Sequence, residues 1–200
     1  MDARRWDERY AGEAFAFGDQ PNDFLAALAP RIPSGPVLCL GDGEGRNGVF
    51  LAGLGHAVTS VDQSRVGLAK AAMLASRHGV ALTTVVADLN DFDLGEAAWS
   101  GIVSIFCHMP PDERRALHAR VRRALRPGGV FLLEAYRPEQ IVLGTGGPRQ
   151  PELLMTLAGL KRELAGLDFV VAEAPRRELR EGAHHRGPSA VVQILAVNPA

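Results

Sequence analysis

The chain has 200 residues, is 46% hydrophobic, and sets 22 Lys and Arg against 23 Asp and Glu for a formal net charge of −1. That is apolar material for one sizeable core, so a single domain over 1–200 is expected, with 1–35 as an N-terminal lid or helical segment. The cancelling charge leaves no electrostatic case for a nucleic-acid or membrane-surface partner. The two cysteines, Cys39 and Cys107, fall in or just past apolar segments and read as free buried thiols. The start, MDARRWDERY, has no apolar stretch of signal-peptide type, and no run of about 18 apolar residues is present to span a bilayer. A cytoplasmic protein is expected.

In chain order, Met1–Gln20 carries Trp6, Tyr10, Phe15 and Phe17 among charges and glycines. It reads either as a short helix stapled to the core or as an aromatic lid over a small-molecule site. A helix is predicted over Pro21–Pro30, with Asn22 as N-cap and Phe24, Leu25 and Leu28 on its apolar face. Pro30, Pro33 and Pro36 then lead into a first strand, Val37–Leu40. A glycine-rich turn follows (Gly41, Gly43, Gly45, Gly48), then a helix over Gly48–Leu54 and a second strand, Ala57–Val61, ending on Asp62. Ser64 caps a helix over Gly67–Arg77 that Gly79 stops. Ala81–Ala87 is the third strand, with Asp88 just beyond it, and 89–98 is a short helix or loop.

Gly101–Phe106 is the fourth strand, opening into Cys107, His108 and two prolines, and Asp112–Leu125 is a helix. Arg126-Pro127-Gly128-Gly129 is a turn before the fifth strand, Val130–Glu134. Tyr136–Gln150 reads as a loop with a GTGGP tract. Leucines at 153, 154, 157, 160 and 164 predict one helix over Pro151–Leu164. Phe169–Ala174 is the sixth strand, Arg176–Pro188 a polar connection, and Ala190–Val197 the seventh strand. Alternating strands and helices imply an α/β, doubly wound parallel sheet. The last two strands lack room for a crossover helix and should pair antiparallel.

The stretch Pro36–Gln63 is a cradle for a nucleotide or nucleoside. Glycines let the main chain approach a ligand, and Asp62 at the second strand's end is placed to hold ribose hydroxyls. Gly43, Gly45 and Gly48 also satisfy G-x-G-x-x-G, with Asp62 about 20 residues on, so an NAD(P)-dependent oxidoreductase stays open at this point. Three further features favour a different cofactor. Glycines 41, 43 and 45 start the turn directly at the strand end, Asp88 ends the third strand where an adenine amine can donate to it, and Arg-Pro-Gly-Gly precedes a fifth strand in a sheet closed by a hairpin.

These features resemble the S-adenosylmethionine-dependent methyltransferases with a Rossmann-like seven-stranded sheet, order 3-2-1-4-5-7-6 with an antiparallel seventh strand. WDERYAGEAFAFGDQPNDFL, LCLGDGEGRNGVFLAGLGHAVTSVDQS, IVSIFCH, LRPGGVFLLEAY and the GGP tract together resemble a bacterial subfamily of S-adenosylmethionine-binding, tellurite-resistance-like methyltransferases. The resemblance covers nearly the whole chain and is specific for the cofactor more than for the acceptor. It implies that Gly41, Asp42, Gly43, Gly45 and Asn47 border the methionine part. Asp62, with Gln63 and Ser64 beside it, would hold the ribose, Asp88 and Leu89 would flank the adenine, and Phe106 and Cys107 would lie near the sulfonium. One position departs from the pattern: Cys39 stands where the first strand often carries an acid that helps arrange the ammonium. Asp42 or Glu44 is left to compensate.

Methyl transfer from a sulfonium expels a neutral leaving group, so alignment and exclusion of water are the main tasks, and a base matters only for a protonated nucleophile. No nucleophilic triad is evident, and no Cys/His spacing marks a metal site. The acceptor-side candidates are His108, Tyr10 and Arg46, with Tyr136, Arg137, Phe17 and the His184-His185-Arg186 run also at the carboxyl side of the sheet. His108 is the leading one, with hydrogen bonding to a loop carbonyl as its alternative role. The expected activity is methyl transfer to a small molecule, with a thiol or an oxyanion such as tellurite or selenite as candidate acceptors. For an oxyanion, Arg46, His108 and Arg137 are the donors to hand. IFCHMPP stands where the N-P-P-Y-type loop for base amino groups would be, which also disfavours nucleic acid. A non-catalytic cofactor-binding module is the remaining alternative.

Overall fold

The structure is a computed structural model that describes residues 3–199. Met1, Asp2 and Ala200, the ends of the expected 1–200 domain, lie outside the described residues. Helix α1 is Ala3–Tyr10 and α2 is Asp23–Leu28, followed by a 3-10 turn at Ala29–Arg31. Asn22 caps α2 as expected, its side chain accepting from Leu25 N at 2.9 Å. Five strands and three helices follow: β1 Pro36–Leu40, α3 Arg46–Gly53, β2 Ala57–Asp62, α4 Arg65–His78, β3 Thr83–Val86, β4 Trp99–Ile105, α5 Pro111–Ala124 and β5 Leu125–Tyr136. Ser64 caps α4 by accepting from Gly67 N, and Gly79 ends it at φ 66°, in the left-handed region where a Cβ is disfavoured. The chain closes with α6 Gln140–Leu143, a 3-10 turn at Pro151–Leu153, α7 Leu157–Glu163, β6 Asp168–Glu173, β7 Arg176–Glu181 and β8 His185–Val197.

The sheet order is β3-β2-β1-β4-β5-β8-β6, with β8 antiparallel to both β5 and β6. This is the expected doubly wound order, with β8 in the seventh strand's place. Residue alternation sorts the strands onto two cores. Leu38 and Leu40 face α5 and α7 with Leu117, Val121 and Leu160, while Val37 and Cys39 face α2 and α3 with Phe24, Leu25 and Leu51. Among the described residues no helix is long and apolar enough to cross a membrane.

Several local expectations are corrected. The predicted helix over Pro151–Leu164 is two pieces. Leu154 is extended, Met155 N donates to Tyr136 O at 2.9 Å, and Thr156 caps a new helix by accepting from Gly159 N. The pull of the β5 end on 154–155 overrides an unbroken leucine period. Arg176–Pro188 is not a connection: β7 pairs antiparallel with the first half of β8, from Arg176 opposite Ala190 to Glu181 opposite His185. Its inward positions include charged residues, so no apolar alternation betrayed it. The Arg-Pro-Gly-Gly turn lies inside β5, where the ladder with β4 passes from Trp99–Leu125 to Gly101–Val130 around Gly128 at φ 76°. The Tyr136–Gln150 loop contains the single turn α6.

Candidate functional site

The carboxyl ends of β1, β2, β3, β4 and β5 open onto one cleft of about 630 Å³, within the range of small-molecule sites. Gly41 of the glycine turn borders it, with Gly43 and Gly45 packed behind. Gly41, Gly43 and Gly45 all have positive φ (60°, 55° and 82°). A Cβ on Gly41 would come within 2.7 Å of Cys107 Sγ, so that crossing of the β1 and β4 tips requires glycine. Gly48 sits equally tightly, against Ser60 Oγ and Asp42 Oδ2. At the β4 tip Phe106 holds φ 52°, a strained value for an aromatic residue, fixed by its N–H donating to Glu134 O at 2.8 Å.

Asp62 reaches the cleft from the end of β2. Its Oδ2 accepts from Gly43 N at 2.9 Å and its Oδ1 from Ser64 N at 2.8 Å, so the carboxylate also braces the turn it faces. An ionised carboxylate offers about four lone-pair sites, which leaves capacity for hydroxyls of a ligand. Burial pushes its pKa up, while the two N–H groups hold it back. Asp88 is exposed on the cleft wall with Oδ1 accepting from Asn90 N, beside buried Leu89 and Met109.

Gln63, Leu89, Phe106, Cys107 and Asn47 line the cleft with Gly41, Asp42, Asp62 and Asp88. Gly43, Gly45 and Ser64 are not part of the lining. Gly43 is covered by the Tyr10 hydroxyl, Gly45 packs on Ala71, and the Ser64 hydroxyl is spent on Gly67 N and Asp7. Asn47 Oδ1 accepts from Asn22 N at 3.0 Å, tying α3 to α2. Burial pushes the Cys107 thiol up to about 12, which keeps it protonated and unreactive.

The two acids left to replace a carboxylate at Cys39 separate clearly. Glu44 has both oxygens committed, one to Ala16 N at 2.7 Å and one to Lys70 Nζ at 2.5 Å. Asp42 uses Oδ2 for Ser60 Oγ at 2.5 Å and Gly48 N at 3.3 Å, and borders the cleft with Oδ1 outside these bonds.

All three expected acceptor-side residues line the cleft, though His108 and Arg46 have their polar groups engaged by protein partners. His108 Nδ1 donates to Leu153 O at 2.9 Å and Nε2 accepts from Tyr136 N at 3.3 Å. Both ring nitrogens are therefore used, and burial pushes the pKa down to about 4, so the ring is neutral and does not act as a free proton acceptor. Arg46 is buried, donating to Glu181 Oε2 at 2.6 Å and Gln20 O at 3.3 Å. Tyr10, at the end of α1, is buried within the N-terminal segment, its pKa raised by burial and then by the Asp62, Glu44 and Asp42 charges. Arg137 pairs with Glu139 and does not line the cleft.

What the sequence reading missed is a buried polar cluster behind this wall. Glu134 on β5, with none of its surface exposed, accepts from Asn22, Arg177 and Gln193. Glu181 on β7 accepts from Asn22, Arg46 and Arg177. The signal was the acid inside VFLLEAY, which an apolar strand tolerates only when paired. The cluster fixes one side of an aromatic wall. Trp6 stacks on Tyr10 (5.6 Å), Tyr10 meets Phe17 edge-on (6.3 Å), Phe17 meets His185 (4.5 Å), and His185 meets Phe106 (4.4 Å) and Tyr136 (5.4 Å). The N-terminal segment is thus both stapled to α4 and part of the cleft wall. Among the described residues no group of three or more His, Cys, Asp or Glu side chains is arranged for a metal ion.

Residues 37–129 match the family model described as "Methyltransferase domain". An uncharacterized methyltransferase, YbaJ of Bacillus subtilis, is 36% identical over 128 residues, 64% of this chain and 49% of that protein. A 2-heptyl-1-hydroxyquinolin-4(1H)-one methyltransferase of Mycobacteroides abscessus is 24% identical over 74% of this chain and 72% of its own length. Among solved structures, TehB from Haemophilus influenzae superposes with a TM-score of 0.73 at 20% identity, over 96% of this chain and 65% of that one. The domain match spans β1 to the β5 turn, the segment that builds the cradle, and the residues there fit S-adenosylmethionine: a glycine turn that admits no Cβ, a carboxylate at the end of β2, and an acid beside an apolar slot at the end of β3. The matches and the cradle together support a methyltransferase domain of Rossmann-like fold that uses S-adenosylmethionine.

Proposed function

We propose that the protein methylates a small, planar, largely apolar acceptor carrying a thiol or an acidic hydroxyl, seated against the aromatic wall. The observation that carries this is the aromatic wall, taken with the state of the three cations expected to hold an oxyanion. Arg46 is neutralised by Glu181, His108 is neutral with both nitrogens used, and Arg137 stands outside the cleft lining. The lining also presents the rings of Phe17, Phe106, Tyr136 and His185, which suit a flat acceptor, along with the cations Arg5, Arg9 and Arg149. The Mycobacteroides abscessus relative is named for an acceptor of that shape, a hydroxyquinolinone.

Bound S-adenosylmethionine supplies a methyl group activated by its sulfonium. In this reading Asp62 takes the ribose hydroxyls, Asp88 the adenine amine and Asp42 Oδ1 the ammonium. Phe106 and Cys107 at the β4 tip border the reacting end, and the stapled N-terminal segment excludes water. The test is release of S-adenosylhomocysteine across a panel of aromatic thiols, phenols, N-hydroxyquinolinones, tellurite and selenite. Turnover confined to the planar acceptors is expected; turnover confined to the oxyanions would overturn the reading.

A further inference from the structure

His185 is a ring of the aromatic wall that brings a buried, unbonded nitrogen to the cleft. It opens β8, is 7% exposed, lines the cleft, and touches Phe106, the strained residue at the β4 tip, with ring centroids 4.4 Å apart. Its Nδ1 makes no hydrogen bond although it is buried, and it faces Glu181 Oε2 at 4.0 Å. Glu181 is not free to move away. Arg46 Nη2 holds it at 2.6 Å, Asn22 Nδ2 at 2.9 Å and Arg177 Nη2 at 3.3 Å. The hairpin that carries both residues is jammed in place: a Cβ on Gly182 would lie 2.4 Å from the Phe17 backbone.

We propose that Glu181 and His185 form a carboxylate–histidine dyad in which Glu181 keeps the proton on Nδ1 and Nε2 takes the proton of the acceptor. This rests on the methyl-transfer reading above and narrows its acceptor. A carboxylate beside one imidazole nitrogen fixes the tautomer and steadies the imidazolium that forms when the other nitrogen is protonated. Such contacts are often long in ligand-free sites and tighten on binding, which is how the 4.0 Å separation is read. The step balances as follows. The acceptor X–H gives its proton to Nε2, its electron pair forms the X–CH3 bond, the pair of the broken C–S bond stays on sulfur, and His185 returns the proton to solvent.

His185 is surrounded by Glu181 on its own hairpin, Arg46 of α3, His108 beyond β4, Arg9 of α1 and its neighbour His184, with Tyr136 of β5 ring-to-ring. Burial first, and then the Arg46 charge, hold its pKa well below the ordinary value, so the ring is neutral at physiological pH and is a weak base. A weak base suits acceptors whose own proton is acidic: thiols, phenols and N-hydroxy heterocycles, not alcohols or protonated amines.

Two measurements on the full chain test this. In 15N-histidine NMR at pH 7 with S-adenosylhomocysteine bound, His185 should be neutral and protonated on Nδ1; a proton on Nε2, or a charged ring, overturns the dyad whatever the acceptor proves to be. For kinetics, His185→Phe keeps the ring packing and removes both nitrogens. Its kcat/KM should fall on the order of 100-fold or more for phenols, which enter protonated, and only a few-fold for 4-nitrobenzenethiol, which enters ionised. Equal losses on both would mean His185 only packs the wall, and no loss on either would remove it from the reaction. If the wild-type chain binds S-adenosylhomocysteine but methylates none of these acceptors, the acceptor reading fails, and the NMR result still decides the dyad.

Discussion

Asp62 carries one task in the structure and a second in the proposed function. The sequence points to it as a ribose ligand because an acid at the end of β2 sits above the glycine turn. Its bonds to Gly43 N and Ser64 N were not legible, since they depend on how the turn curls back over β2. Asp62→Ala therefore removes ligand contacts and leaves two buried N–H groups unpaired. Affinity for S-adenosylhomocysteine should fall ten-fold or more by calorimetry, and unfolding free energy should drop by about 2 kcal/mol. Unchanged values of both would contradict this double role. Asp42 shows its neighbourhood through pH. Burial raises its pKa from the ordinary 3.8 to about 7, with Asp62 adding to the rise and Ser60 and Gly48 opposing it. The folded state then holds this proton more tightly than the unfolded chain. The stability it contributes is complete below about pH 4 and is lost as pH rises through about 7. Asp42→Asn should flatten that decline in urea unfolding between pH 4 and 8; an identical slope in both proteins would mean Asp42 titrates normally. For His108 the sequence placed the residue correctly at the β4 tip but could not show its partners. Leu153 O and Tyr136 N come from distant segments and occupy both ring nitrogens.

Among the elements, the caps were readable and the breaks were not. Asn22 and Ser64 announce their helices locally, because a short polar side chain before an apolar run has a mechanism confined to a few residues. The split at 154–156 and the strand β7 depend on partners elsewhere: Tyr136 O for Met155, and β8 for β7. β7 hides because its inward side chains, Arg177 and Glu181, are charged and are paid for by Glu134, Asn22 and Arg46 across the sheet. On the opposite face α7 docks on α5 through another buried cluster. Glu163 accepts two hydrogen bonds from Arg114 Nε and Nη2 (3.0 and 2.8 Å) and lies 2.8 Å from His118 Nδ1. Removing the carboxylate leaves a buried guanidinium unpaired, so Glu163→Ala should destabilise the protein by about 3 kcal/mol in chemical denaturation. A loss below about 1 kcal/mol would show that α7 is held by its leucines alone.

For the molecule as a whole, the doubly wound sheet was legible because alternating apolar strands and amphipathic helices admit few topologies, and the closing strands lacked a crossover. The cofactor half of the cleft was legible because it is built from neighbours in sequence. Pro36–Gln63 supplies Gly41, Asp42, Asn47, Asp62 and Gln63 to its lining. The acceptor half was not, because it is assembled from four remote segments: α1 with its following loop, the β4 tip, the GTGGP tract and the β7–β8 hairpin. Gly146 and Gly147 pack so closely on Tyr136 that a Cβ on either would lie within 2.8 Å of it, a contact no local pattern encodes. The central claim, that this cleft holds S-adenosylmethionine, is tested most directly by isothermal calorimetry of the wild-type chain with S-adenosylhomocysteine and, separately, with NADH. One molecule of S-adenosylhomocysteine bound per chain, with no heat from NADH, is the predicted result. Binding of NADH with no binding of S-adenosylhomocysteine would contradict it.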